Sequence, residues 1–179
     1  MFYTSTYQSP VGELKLITNN DSLVGLYFNG EDFSLNNNSN FALIISNEHP
    51  IILATKKWMD DYFNNLKPNI NDLPLKLEGT QFQKYVWDIL LLIPYGEVVT
   101  YGYIAKLIAK KLNRQKMSAQ AVGGAVGKNP IAIIVPCHRV VGTNNNLTGF
   151  GGGIETKIKL LMHEKIDISK FSLPREKKK

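Results

Sequence analysis

Hydrophobic residues recur with two different periods along the chain, alternating near its start and falling at three- and four-residue spacing from the middle onward. Glu13-Leu14-Lys15-Leu16-Ile17-Thr18 alternates polar with apolar, as a strand with one buried face does. Asn19-Asn20-Asp21 supplies turn chemistry into the next apolar run, so residues 2–28 read as a meander of strands. Residues 34–40 are rich in asparagine and read as a loop of biased composition. Over residues 50–66, Ile51, Ala54, Trp58, Tyr62 and Leu66 recur at helical spacing until Lys67-Pro68 closes the segment, and this aromatic stripe reads as core. Residues 73–77 read as a short returning strand.

Thr80-Gln81-Phe82-Gln83 has the form of a capping box and opens a helix whose Phe82, Val86, Ile89 and Ile93 share one face, up to the break at Pro94-Tyr95-Gly96. Thr100 caps a second helix to about Leu112, with Ile104, Leu107 and Ile108 inward and Lys106, Lys110 and Lys111 outward. A polar connection at residues 113–116 leads into a third helix from about Ser118, made almost wholly of small residues, and the pair has the form of a helix-turn-helix. Each glycine in that helix costs up to ~1 kcal/mol relative to alanine, so Gly123 and Gly124 need a reason. Close packing on a neighbouring helix and close approach to DNA explain them equally well. Residues 131–135 read as a buried strand leading to Pro136-Cys137-His138-Arg139. A loop over residues 142–153 follows, then a last helix over about 155–164 with Ile158, Leu161 and Met162 inward.

Composition narrows the classes. No run approaches the ~20 apolar residues of a membrane span, and the first residues lack a basic region followed by an apolar block. A soluble, cytoplasmic protein is expected, nuclear in a eukaryote, with no membrane partner. One cysteine forms no internal disulfide, and one cysteine with three scattered histidines makes no paired-ligand zinc pattern; no metal and no cofactor are expected. Residues 1–78 carry five basic against nine acidic side chains, whereas residues 79–179 carry sixteen against six. The surplus persists when the solvated Lys177, Lys178 and Lys179 are discounted, so the second part is where a polyanion would bind. The change of sign places a boundary at 78/79, giving domains 1–78 and 79–168 and a basic tail over 169–179.

The remaining cysteine is either inert core or chemistry. A free thiol has a pKa of about 8.5 and needs a neighbour that takes its proton. Adjacency of His138 proves little, because neighbouring side chains on an extended segment point apart unless a tight turn follows Pro136. Glu164, at the end of the last helix, can orient an imidazole as the third member of a relay. Taken bare, Cys137 beside a histidine is more often buried and inert than nucleophilic.

The run Ile133-Ile134-Val135-Pro136-Cys137-His138-Arg139-Val140-Val141 resembles the active-site signature of the methylated-DNA-protein-cysteine methyltransferases, or O6-alkylguanine-DNA alkyltransferases. Ile93-Pro94-Tyr95-Gly96-Glu97-Val98-Val99-Thr100-Tyr101-Gly102, Ala121-Val122-Gly123-Gly124-Ala125, Asn129-Pro130, Gly152-Gly153 and Leu160-Leu161-Met162-His163-Glu164 resemble the same family in the same order. The likeness is close over residues 80–165 and loose before them.

It implies an α/β (α+β) fold, with a small ribonuclease-H-like amino-terminal domain before a helical, winged-helix-like helix-turn-helix domain. It implies stoichiometric, irreversible transfer of the alkyl group of O6-alkylguanine, and of O4-alkylthymine, to Cys137 by a monomer bound to double-stranded DNA. His138 would activate Cys137 and be linked through a water to Glu164. Asn129 would hold the turn before the site. Tyr101 would help evert the nucleotide and protonate the departing guanine. Ala119, Gln120, Ala121 and Gly124 would meet the minor groove, and Val140, Phe150 and Gly151 the substrate.

Two departures stand out. Gln120 occupies a position where many relatives carry arginine, and Phe150-Gly151 stands where many have Tyr-Ser. Rival readings are a lesion-binding protein that flags damage without transfer and a Cys-His hydrolase with turnover. A zinc-dependent regulator fused to the repair domain lacks its cysteine ligands here.

Overall fold

The computed structural model describes residues 1–31 and 42–174. The asparagine-rich loop at 34–40 and the lysines at 177–179 lie outside the described residues. The chain divides into two compact units, Met1–Lys84 with Pro130–Val135, and Tyr85–Asn129 with Pro136–Lys179.

In the first unit, β1 (Phe2–Ser9), β2 (Gly12–Thr18) and β3 (Leu23–Phe28) form the expected antiparallel meander, and β4 (Leu43–Ile45) adds parallel to β1, giving the order β3-β2-β1-β4. The turn between β2 and β3 is held by the Asn19 side chain, which accepts from the amides of Asp21 at 2.9 Å and Ser22 at 2.8 Å. Leu14, Leu16, Ile17, Leu23 and Leu26 are fully buried on the sheet, each stabilising the fold by roughly 1.5–3 kcal/mol. Helix α1 (Pro50–Phe63) covers β1, β2 and β3. Its buried residues are Ile52, Thr55, Trp58, Met59 and Tyr62, so the stripe read from the sequence is rotated: Ala54 is exposed, Ile51 half-buried, and Leu66 lies beyond the helix.

Two expected strands take other forms. Within residues 73–77 there is a single bridge, between Leu75 and Leu23. Residues 131–135 are buried, but only Ile131 bridges to Leu26. Ile133 then adopts φ +67°, and the Ile134 and Val135 amides donate back to Ala132 and Ile131 at 2.8 and 3.0 Å. This makes a turn, whose left-handed residue β-branching disfavours.

In helix α2 (Gln81–Leu90) the capping box is formed: the Gln83 amide donates to Thr80 Oγ1 at 3.2 Å, and Gln83 Oε1 accepts from the Thr80 amide at 2.8 Å. The second unit also holds β5 (Val99–Thr100), α3 (Tyr101–Lys111), α4 (Ala119–Gly127), β6 (Val140–Val141) and α5 (Ile154–His163), with β5 and β6 paired in parallel. Thr100 caps α3 and Ser118 caps α4, each through its hydroxyl. Buried Trp87 ties α2 to α4 by donating to the Ala125 carbonyl at 2.9 Å. Val141, Leu147 and Leu161 form a small core on which Val98, Ile158, Ile166 and Phe171 pack. Helix α5 departs from expectation: Met162 is 57% exposed, Ile158 is half-buried, and the buried face carries Lys157, Leu160 and Leu161. Among the described residues no helix is long and apolar enough to cross a membrane.

Candidate active site

Pro136 turns the chain into a single 3-10 turn, Cys137–Arg139, and all three of its side chains are buried. The backbone here is therefore not extended. Cys137 is 8% exposed and His138 fully buried.

His138 Nε2 lies 2.6 Å from Glu164 Oε1, so the two are joined directly and the water expected between them has no room. Arg139 donates from Nε to Glu164 Oε2 at 2.8 Å and from Nη2 to Oε1 at 3.0 Å, while Nη1 donates to the Ile93 carbonyl at 2.6 Å. The Gly96 amide adds a fourth donor, to Oε2 at 3.0 Å. Gly96 adopts φ +82°, and a Cβ there would come within 3.2 Å of the Glu164 carbonyl oxygen. The break at Pro94-Tyr95-Gly96 thus cradles the carboxylate, with the Tyr95 ring 5.7 Å from the Arg139 guanidinium carbon.

The electrostatics follow. Burial alone would raise Glu164, but the hydrogen bonds from His138 and Arg139 and the Arg139 charge outweigh it and hold its carboxyl well below the usual carboxylate range. Complete burial pushes His138 below its ordinary value, against the upward pull of Glu164. A neutral imidazole beside a carboxylate must donate through Nε2, so Nδ1 carries the lone pair. That Nδ1 is buried and has no hydrogen-bond partner among the described residues.

Lys157, on the buried face of α5, donates to the carbonyls of Val140 at 2.5 Å and Thr148 at 3.0 Å. Burial lowers its ammonium to about 8, and the charge of Cys137 acts the other way. Tyr101, first residue of α3, is hydrogen-bonded to the Thr148 side chain; burial and then the Cys137 charge raise its hydroxyl, against the effect of that bond.

A cleft of about 780 Å³ opens beside these groups. It brings together Tyr101, Ala119, Gln120, Gly124, Phe150 and Gly151 from the sequence-predicted set, and adds Gly123 and Thr148. Ala119, Gln120, Ala121 and Gly124 lie on the exposed face of α4, although Ala121 does not line the cleft. A Cβ at Gly124 would meet nothing within 4 Å, so that glycine is not explained by helix packing. Cys137, His138, Glu164 and Val140 are buried and do not line the cleft. Asn129 stands after α4, its amide donating to the Val126 carbonyl at 3.1 Å. Arg139, Lys157, Thr148 and Gly96 were given no role from the sequence. The available signal was a lysine at position i of the i, i+3, i+4, i+7 set formed with Leu160, Leu161 and Glu164.

Comparison with known proteins identifies the family. Residues 81–166 match the DNA-binding domain, and residues 2–77 the ribonuclease-like domain, of the 6-O-methylguanine DNA methyltransferases. The chain is similar to the methylated-DNA-protein-cysteine methyltransferase of Haemophilus influenzae, with 41% identity over 164 residues, covering 92% of this chain and 87% of that one. Among solved structures it is similar to Mycobacterium tuberculosis OGT in complex with DNA, with TM-score 0.75 and 37% identity over 94% of each chain. It is also similar to an O6-methylguanine DNA methyltransferase from Methanococcus jannaschii, with TM-score 0.61 and 28% identity, covering 98% of this chain and all of that one.

Proposed function

This chain belongs to the 6-O-methylguanine DNA methyltransferase family, and from that premise we propose that it repairs DNA by moving the alkyl group of O6-alkylguanine onto Cys137, once per molecule. The observation that carries the site assignment is the buried imidazole of His138, with one nitrogen committed to Glu164 and the other, Nδ1, unused. It is a base prepared to take the thiol proton, beside the protein's single cysteine.

The thiolate sulfur attacks the alkyl carbon, the carbon–O6 bond breaks, and its electron pair goes to the guanine, which takes up a proton. Tyr101, which its raised pKa keeps protonated beforehand, passes its proton to the departing guanine and regains one from solvent, while the thiol proton held by His138 is released. The thioether left on Cys137 is not a leaving group, so the protein is consumed. Arg139, always cationic, keeps Glu164 ionised, and Glu164 orients His138.

An alkyl carbon inside a duplex is out of reach, so the nucleotide leaves the stack at a cost of a few kcal/mol and enters the cleft between Tyr101 and Phe150-Gly151. The small exposed face of α4, with Ala119, Ala121 and Gly124, lies along the minor groove, and Gln120 fills the space the base leaves. Val140 and Asn129 shape the backbone on either side of the nucleophile. O4-alkylthymine presents a similar carbon and is a second substrate. The protein acts as a monomer in the cytoplasm; residues 79–168 carry the chemistry and residues 1–78 are structural, while of the segment read as a basic tail Phe171 packs on the second unit's core.

The test is to mix equimolar protein with a duplex bearing O6-methylguanine and map the methyl by peptide mass spectrometry. One methyl per molecule, on Cys137, is expected. Binding without an adduct would restore the lesion-flagging reading, and several repaired lesions per protein would restore the hydrolase.

A further inference from the structure

Thr148 lies in the loop between β6 and α5 and, half-buried, lines the cleft together with Tyr101. Its backbone is tied down from two sides. The Leu147 amide before it donates to the Ser172 carbonyl at 2.8 Å, and the Ser172 amide donates to the Asn145 carbonyl at 3.1 Å, so the chain beyond α5 grips the loop. The carbonyl of Thr148 itself accepts from the buried ammonium of Lys157 at 3.0 Å. Within the loop the Gly142 amide donates to the Asn146 carbonyl at 2.7 Å, and a Cβ at Gly142 would come within 3.5 Å of Thr148 Oγ1. The threonine hydroxyl thus stands over the bare α-carbon of that glycine.

Tyr101 is placed from the other side. Its ring lies along α4, where a Cβ at Gly123 would be 3.8 Å from ring atoms Cδ1 and Cε1. Its hydroxyl is hydrogen-bonded to the Thr148 side chain in the sense that favours the phenolate, so Thr148 donates and the Tyr101 oxygen accepts. The polarity of this bond matters. A phenol that spent its own hydrogen on Thr148 would have none for a leaving group, whereas one that accepts from Thr148 keeps its O–H for the cleft. As that proton departs the bond becomes charge-assisted and strengthens, and an interaction stronger in the transition state than before it is the kind that accelerates a reaction.

We propose that Thr148 is a positioning residue for the transfer reaction: by donating its hydroxyl hydrogen to the Tyr101 oxygen it aims the phenol O–H at the departing base and holds the phenolate once the proton has moved. The inference rests on the alkyltransferase reading and adds a residue to it. Tyr101 gives one proton to the guanine as the carbon–O6 bond breaks, the phenolate is left with Thr148 donating to it, and solvent returns the proton; none leaves Thr148. Lys157 is thereby linked to the proton donor as well as to the Cys137 charge, through the carbonyl of the same threonine.

The experiment compares two ways of methylating Cys137 in the full chain, each read by peptide mass spectrometry: single-turnover transfer from an O6-methylguanine duplex, whose leaving group needs a proton, and methyl iodide, whose leaving iodide needs none. Thr148→Val keeps the shape and removes the hydroxyl; it should slow transfer from the duplex by roughly tenfold or more and leave the methyl iodide rate unchanged. Thr148→Ser, which restores the donor, should restore transfer. In a Tyr101→Phe background Thr148→Val should cost nothing further, because the two side chains act as a unit. Equal slowing of both reactions, an undiminished duplex rate in Thr148→Val, or full additivity with Tyr101→Phe overturns the proposal. Failure of the underlying reading looks different: the intact protein would take no methyl from the duplex onto Cys137.

Discussion

Replacing Glu164 by glutamine changes one atom and tests most of the buried network. The carboxylate accepts from four N–H donors, His138 Nε2, Arg139 Nε and Nη2, and the Gly96 amide. Glutamine offers one acceptor oxygen and turns an NH₂ toward the remaining donors, leaving the Arg139 charge buried without its counter-ion. Breaking a buried ion pair costs about 3–5 kcal/mol. For a chain of this length each kcal/mol moves the melting temperature by about 2–4 °C, so the expected drop is roughly 6–20 °C. The pH dependence has a definite sign. Glu164 is held below its unfolded value, so its stabilisation is fully present above about pH 4.3 and is lost as pH falls through the lower folded value. The gap in melting temperature should therefore be constant above about pH 5 and close only in stronger acid. Because His138 loses its oriented acceptor, transfer should slow by roughly 10²-fold or more. The assays are calorimetric melting across pH and single-turnover transfer from a methylated duplex. A fall in melting temperature under about 2 °C with an unchanged rate would show that the network carries neither stability nor catalysis.

Four further outcomes are expected. His138 is depressed by burial, so the native protein should lose stability as pH falls below about 6.5, where the unfolded imidazole gains a proton; melting of His138→Asn should show a shallower slope there. Gly96→Ala forces a side chain into left-handed backbone against Glu164, and chemical denaturation should report a loss of about 1–3 kcal/mol. Lys157→Met removes a cation coupled to the Cys137 charge and frees two carbonyls, and transfer rates should fall about tenfold. Gln120→Ala should lose more on a duplex than on free O6-benzylguanine, compared by single-turnover rates; equal losses would remove Gln120 from the DNA interface.

What was legible in the sequence was what local chemistry specifies. The Asn19 turn, the Thr80 capping box and the Thr100 cap each depend on residues a few positions apart, and each formed where it was read, while Ser118, read as the start of the third helix, caps it. The Pro136-Cys137-His138-Arg139 run pointed to the site. The partnership of Arg139 with Glu164 spans 25 residues and exists only once α5 folds back on the turn. Lys157 was missed because a buried lysine contradicts the apolar pattern used to choose a helix's inner face, and Met162 was placed inward for the same reason. Ile133 shows the converse: five apolar residues read as a strand, yet the chain must reverse there, and tertiary packing overrides a β-branched residue's preference.

The burial of the His138–Glu164–Arg139 cluster has a consequence for how the protein meets electrolyte. Mobile ions damp fields between charges that water surrounds, within about 8–10 Å at ordinary ionic strength, and act weakly on charges sealed inside protein. The proposed proton hand-off from sulfur to imidazole would be sheltered from them, whereas the lysines and Arg114 on the outer surface are bathed in them. Brine should thus loosen the grip on a chromosome long before it dulls the reagent.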